Sequence, residues 1–187
     1  MPRLLALVLC LVALPAAAEL KEGAIAYSRG DLATAIRELK PLAESGLPFA
    51  QYLYGVSLLN AKAPLANEKE GEAWLERAAS AGNVAAMRDL GRVRLFYKKP
   101  ADTAGARKWL GEAANRGDAE AQHLLAVSLL DGPAGPEARP EAVMWLQLAA
   151  ERGHLLSGVL LREVRPPFTD AERAEGERRA AQWKPVR

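Results

Sequence analysis

Trp74-Leu75-x-x-Ala78-Ala79-x-x-Gly82 returns as Trp109-Leu110-x-x-Ala113-Ala114-x-x-Gly117 and again as Trp145-Leu146-x-x-Ala149-Ala150-x-x-Gly153, at spacings of 35 and then 36 residues. Self-similarity at a fixed period of this size marks a repeat architecture. Three residues before each tryptophan stands a small residue, Gly71, Ala106 or Ala142. Small residue, tryptophan and paired alanines therefore fall on one stripe of an α-helix. The closing glycine tolerates positive φ and is suited to the position just past a helix end. The signature thus predicts a helix and its stop. A weaker copy precedes the three, with Ala35, Leu39, Ala43 and Gly46 in register and Glu38 in the tryptophan's place.

A second pattern follows the glycines. Ala50-x-x-x-Tyr54-Gly55, Ala86-x-x-x-Leu90-Gly91 and Ala121-x-x-x-Leu125-Ala126 set a small residue one turn before a large one, with another small residue directly after it. Small side chains at those points let neighbouring helices approach closely. Loops at Asn60–Asn67, Lys98–Asp102 and Asp131–Arg139 lead to the next tryptophan helix, and Pro140 fits a first helical turn. The expected order is helix, short loop, helix, repeated.

The pattern A-x-x-x-L-G followed by W-x-x-x-A-A-x-x-G at a period near 36 resembles the Sel-1-like repeats, close kin of the tetratricopeptide repeats. The resemblance covers residues Leu20 to Glu163 and implies an all-α, right-handed α-α superhelix of about four helix pairs across residues 19–163. Its first unit, Gly23-x-x-Ala26-Tyr27-x-x-Gly30-Asp31-x-x-x-Ala35, looks more like an ordinary tetratricopeptide unit. The family's glycine-rich loop is kept in part, at Asp131-Gly132, and its common tyrosine is replaced by Leu58, Arg94 and Leu129.

A solenoid must cover its last apolar face. Residues 164–187 are expected to do so: Pro166-Pro167 ends the preceding helix, and Thr169-x-x-Glu172 is a capping-box pattern. Ala171, Ala174, Ala181 and Trp183 give the cap a thin apolar stripe; the alternative is a solvated tail.

The start of the chain reads as an export signal. Arg3 precedes an apolar run from Leu4 to Leu14, then Pro15 and a small-residue stretch, the layout of a secretory signal peptide at residues 1–18. The run is too short for a hydrocarbon core, which takes roughly 20 residues. Ala16 and Ala18 supply the small side chains of a cleavage site, so cleavage is expected after Ala18, giving a periplasmic or secreted protein with no stable membrane insertion. Removal takes away Cys10, the single cysteine, and with it any disulfide, thiolate metal site or cysteine nucleophile. Without Arg3 the basic count falls from 25 to 24 against 23 acidic residues, which is not the footprint of a nucleic-acid binder.

Catalytic patterns are missing from the sequence. His123 and His154 are the two histidines, and neither G-x-S-x-G, H-E-x-x-H nor a glycine-rich phosphate loop occurs. No catalytic residue, metal ligand or cofactor site is assigned. Asp89, Asp118 and Glu163 read as solvated surface acids, and Trp74, Trp109 and Trp145 as inter-helix packing rather than stacking platforms. Some cysteine-rich relatives implied by the resemblance are associated with β-lactam binding or hydrolysis, but this mature chain lacks their cysteines.

The resemblance also implies a binding face. In tetratricopeptide superhelices the first helix of each pair lines the concave side, facing outward one before and two, six and nine after its small residue. Carried onto Ala50, Ala86 and Ala121, those offsets select Phe49, Tyr52, Val56 and Leu59; Ala85, Arg88, Arg92 and Leu95; and Glu120, His123, Val127 and Leu130. Tyr52, Val56, Arg88, Arg92 and His123 are the candidate partner-binding residues. Arg88 and Arg92, one turn apart, either meet an acidic group on a partner or solvate a helix face. His123 reads as a groove-edge or partly buried residue rather than a pH switch. The expected function is a non-enzymatic protein–protein interaction scaffold, with a peptide or partner domain in the groove. The alternative is a cell-envelope hydrolase or glycan-binding protein.

Overall fold

Each tryptophan signature closes a helix, and the paired alanines form the lock. After α4 (Glu68–Ser80), Gly82 at φ 90° donates its N–H to the Ala79 carbonyl, and Asn83 donates to the Ala78 carbonyl. The same pair of bonds follows α6 (Thr103–Asn115) at Gly117 and Asp118, and α8 (Ala138–Glu151) at Gly153 and His154. This is the Schellman stop, which uses positive φ to turn orphan carbonyls into acceptors. The weaker first copy has it too, at Gly46 and Leu47 after α2 (Leu32–Glu44).

The computed structural model describes residues 18–131, 135–164 and 166–186. All regular structure there is helical: α1 (18–28), α2, α3 (Pro48–Asn60), α4, α5 (Val84–Phe96), α6, α7 (Ala119–Leu130), α8, α9 (Leu155–Glu163) and α10 (Asp170–Gln182). The proposed leader lies outside the described residues apart from Ala18, as do residues 132–134 of the Asp131–Arg139 loop. Two compact units divide the chain, Met1–Ala86 and Met87–Arg187. Helix starts are fixed locally: Asp31, Asn67, Asp102 and Asp118 each accept the N–H three residues on.

In the first unit α2 packs on α3 and α3 on α4. Glycine makes the second contact possible. A Cβ on Gly55 would lie 2.9 Å from the Gly71 carbonyl oxygen, and one on Gly71 would lie 2.8 Å from the Gly55 carbonyl oxygen, so the two backbones touch. Those are two of the small positions singled out in the sequence. Glu70 gathers the neighbouring polar groups, accepting from the Tyr54 hydroxyl and the Trp74 indole N–H, each at 3.3 Å, and from the Asn67 amide at 2.8 Å. Burial, then the Glu70 charge, pushes the Tyr54 hydroxyl up to about 12.

In the second unit α6 packs on α7, α7 on α8, and α8 on both α9 and α10. Gly91 brings α5 onto α6: a Cβ there would lie 2.5 Å from Leu110 Cγ. Helix α10 starts with the capping box expected of Thr169 and Glu172. It lies so close to α8 that a Cβ on Gly176 would meet Val143 at 2.4 Å and the Pro140 carbonyl at 2.8 Å. Trp183 then sets its ring edge-on to Trp145 at 6.2 Å, and Val186 donates to the Asn115 carbonyl at 2.8 Å. The cap is a packed element rather than a solvated tail.

The three tryptophans are buried, as expected, but they are not equivalent. Trp74 and Trp145 donate to the carboxylate one turn earlier, Glu70 and Glu141. In the middle repeat that position is Gly105, and the Trp109 indole N–H is buried with no partner. The glutamate four residues before Trp74 and Trp145, absent before Trp109, was a readable signal that the packing pattern alone passes over.

Candidate interaction surfaces

The outward positions of the first helices separate into three kinds once the helices are packed. In the first unit, Phe49 is 48% exposed and its ring centroid lies 6.4 Å from that of Tyr52, which is half-buried against the core. Val56 is corrected: it is 6% exposed and belongs to the core. Helix α3 is buried continuously from Leu53 to Leu58 because α2 and α4 pack on it from different sides, so the offset borrowed from a generic superhelix points inward here.

Arg88 and Arg92 are the second correction. Instead of forming an open basic strip they are held by three carboxylates of the same unit. Arg88 bonds Asp118 at 3.0 Å and Asp89 at 3.2 Å and approaches Glu120 at 3.6 Å. Arg92 reaches Asp89 at 3.2 Å and Glu120 at 3.7 Å. Asp89 and Asp118, read in the sequence as solvated acids, are structural: Asp89 is 5% exposed, and Asp118 spends one oxygen on Arg88 and the other on the Ala121 N–H that starts α7. Burial on its own would lower the Arg88 pKa, but Asp89, Asp118 and Glu120 outweigh it and raise it. Two cations against three anions leave this cluster one negative charge in excess.

His123 is half-buried, as the partly buried alternative expected, and it has partners the sequence did not disclose. Its ring stacks on His154 with centroids 4.3 Å apart and planes inclined by 30°. Nδ1 of each ring lies 3.0 Å from Oγ of Ser157, which is wholly buried in the first turn of α9. Nearly parallel rings direct their in-plane lone pairs side by side, which suits hydrogen bonding to one hydroxyl better than convergence on a metal. Burial, then the neighbouring His154, pushes His123 down to about 4.

Helix α9 adds residues that the sequence reading did not single out. Ser157 stands where Ala50, Ala86 and Ala121 stand in the earlier units, so Leu156 and Val159 occupy the outward places of Phe49 and Tyr52. They are 64% and 44% exposed, with Leu155 beside them more exposed still. Continuing the 35-residue count past Gly153 would have found them. Among the described residues no group of three or more histidine, cysteine, aspartate or glutamate side chains is placed to hold a metal, and no helix is long and apolar enough to cross a membrane.

Comparison with known proteins agrees with this repeat geometry. The family model for the Sel1 repeat matches residues 48–83, 84–118 and 119–154, which are the helix pairs α3–α4, α5–α6 and α7–α8. Among solved structures, a protective antigen present in uropathogenic Escherichia coli strains and displaying an SLR fold is 25% identical with a TM-score of 0.69, over 89% of this chain and 38% of that one. A Sel1 repeat protein from Oxalobacter formigenes is 30% identical with a TM-score of 0.61, over 75% of this chain and 43% of that one. The chain thus spans less than half the length of these two structures. No curated protein matches it. Sel1 repeats are in general protein-interaction scaffolds. With three consecutive matches over more than half its length, each on a unit that a tryptophan signature closes, the chain belongs to the Sel1 repeat family.

Proposed function

We propose that this chain is an exported interaction scaffold of the periplasm that holds a peptide segment or partner domain on the outward face of its first helices. The observation that carries the reading is the recurrence of apolar side chains at the same two repeat positions, the exposed Phe49 beside the half-buried Tyr52 in the first unit and the exposed Leu156 and Val159 in the second. Within each unit, exposed aromatic and aliphatic groups of this kind are the usual anchors of an interface. The Arg88–Arg92 cluster, its arginines already held by three carboxylates, serves to brace the second unit rather than as an anion receptor.

Export makes a direct prediction: N-terminal sequencing of the protein from a periplasmic extract should start at Glu19. An intact Met1 on membrane-held protein would remove the compartment from the reading.

The binding face has its own test. A partner captured by the mature chain should bind the Phe49→Ser, Tyr52→Ser double variant at least about tenfold more weakly, equivalent to roughly 1.4 kcal/mol. The helical signal should be retained, because Phe49 is 48% exposed and Tyr52 lies at the edge of the core rather than within it. Equal affinity in the folded variant would exclude this face, and turnover of a cell-envelope glycan by the native chain would replace the scaffold with a hydrolase.

A further inference from the structure

We propose that His123, His154 and Ser157 form an acid-sensitive latch that holds α9 to α7. The cluster ties a side chain in the middle of α7 to both residues that open α9: His154 is the N-cap position and Ser157 lies in the first turn. The N-cap side chain makes no capping bond to the helix backbone. Its Nδ1 is turned instead to the Ser157 hydroxyl, which the His123 Nδ1 shares.

Counting protons shows why acid opens such a cluster. Ser157 has one hydroxyl proton, and two nitrogens face its oxygen at 3.0 Å. With both rings neutral, one donates Nδ1–H to Oγ while the other accepts the hydroxyl proton, and both Nδ1 atoms and the hydroxyl are satisfied. A further proton at Nε2 of the donating ring sets a cation against a ring 4.3 Å away, and a proton on the accepting Nδ1 puts N–H donors on both rings and turns the hydroxyl proton into a buried space. A second charge sets cation against cation.

The surroundings do not relieve this. On α7 Glu120 lies one turn before His123 but faces Arg88 and Arg92 of α5, where Asp89 also lies; Asp118, ahead of α7, is taken by Arg88. At the end of α8, Arg152 donates to the Leu148 carbonyl and covers Trp183, and Glu151 accepts from Gln147. Further along α9 stand Arg162 and Glu163. The influences that act on the His123 charge are burial and His154, both against protonation.

A folded-state value near 4 against an ordinary 6.5 means that the latch is fully closed above about pH 6.5 and weakens as pH falls toward 4, where the released form binds the proton better. Helix α9 is the element placed to respond. It is the shortest of the named helices, packs on α8, and takes from α10 the Arg173 guanidinium, which donates to the Leu161 carbonyl at 3.0 Å near its far end. Its release would move Leu156 and Val159, the apolar pair of this unit. The latch itself rests on the histidine cluster and not on what binds that pair.

The chain has two histidines, so both can be followed by proton NMR in the native protein. One imidazole should titrate near pH 4. Amide exchange across residues 155–163, corrected for intrinsic chemistry, should rise at least about tenfold between pH 7.5 and 4.5, while that of α7 changes little. In the His123→Gln, His154→Gln variant, which keeps polar side chains but cannot titrate there, the rise should shrink to less than about twofold. Both histidines titrating near 6.5, or an undiminished rise in the variant, would overturn the latch. The native titration decides the matter even if the variant fails to fold.

Discussion

Trp109→Ala should cost about 3–5 kcal/mol, the range for deleting a large aromatic from a core. Trp109 is 6% exposed, and Leu110, Ala113 and Ala114 around it are fully buried, so little can collapse into the space it would leave. A loss of that size is a large part of the whole stability of an ordinary domain. The measurement is the denaturant midpoint of the mature chain. Two milder variants test the cause. Trp109→Phe removes an indole N–H that has no partner, and should cost less than Trp145→Phe, which strands Glu141 after a 3.1 Å hydrogen bond is lost. If the two phenylalanine variants melt together, the indole hydrogen bonds contribute nothing and packing alone places the tryptophans.

Arg88→Glu, Arg92→Glu should also destabilise the fold, by less than the roughly 3–5 kcal/mol of a fully buried ion pair, because the Arg88 side chain is 22% and that of Arg92 43% exposed. Read in the sequence alone, the same change leaves helix propensity nearly intact and the fold with it. The structure reverses that expectation. Glutamates at 88 and 92 would join Asp89, Asp118 and Glu120, and the Asp118 oxygen that Arg88 now fills would be left partly buried without its cation. Arg92→Gln, at a side chain 43% exposed, should cost less than about 1 kcal/mol, because solvent screens the pair. The check is equilibrium unfolding of the three proteins side by side. A double variant as stable as the native chain would mean that the guanidiniums are not structural and would return them to the list of partner contacts.

Features settled within one or two helical turns could be read from the residues alone. The stop at Gly82, Gly117 and Gly153 involves carbonyls at most five residues back, and the start at Asp118 or Thr169 involves an N–H three residues on. The burial of Trp74, Trp109 and Trp145 follows from their place on the small-residue stripe, and the close helix contacts at Gly55 and Gly91 follow from the lack of a side chain. These were legible because each depends on local geometry repeated three times over. The fate of the candidate surface residues was decided only by the tertiary structure. Arg88 finds Asp118 thirty residues away, His123 finds Ser157 thirty-four away, and Val56 is buried because two helices press on α3. Such distances are close to one repeat length. A side chain on one first helix meets its neighbour's through the register in which two units stack, and that register is set by the packing of buried faces, about which an outward-facing arginine or histidine carries no information of its own.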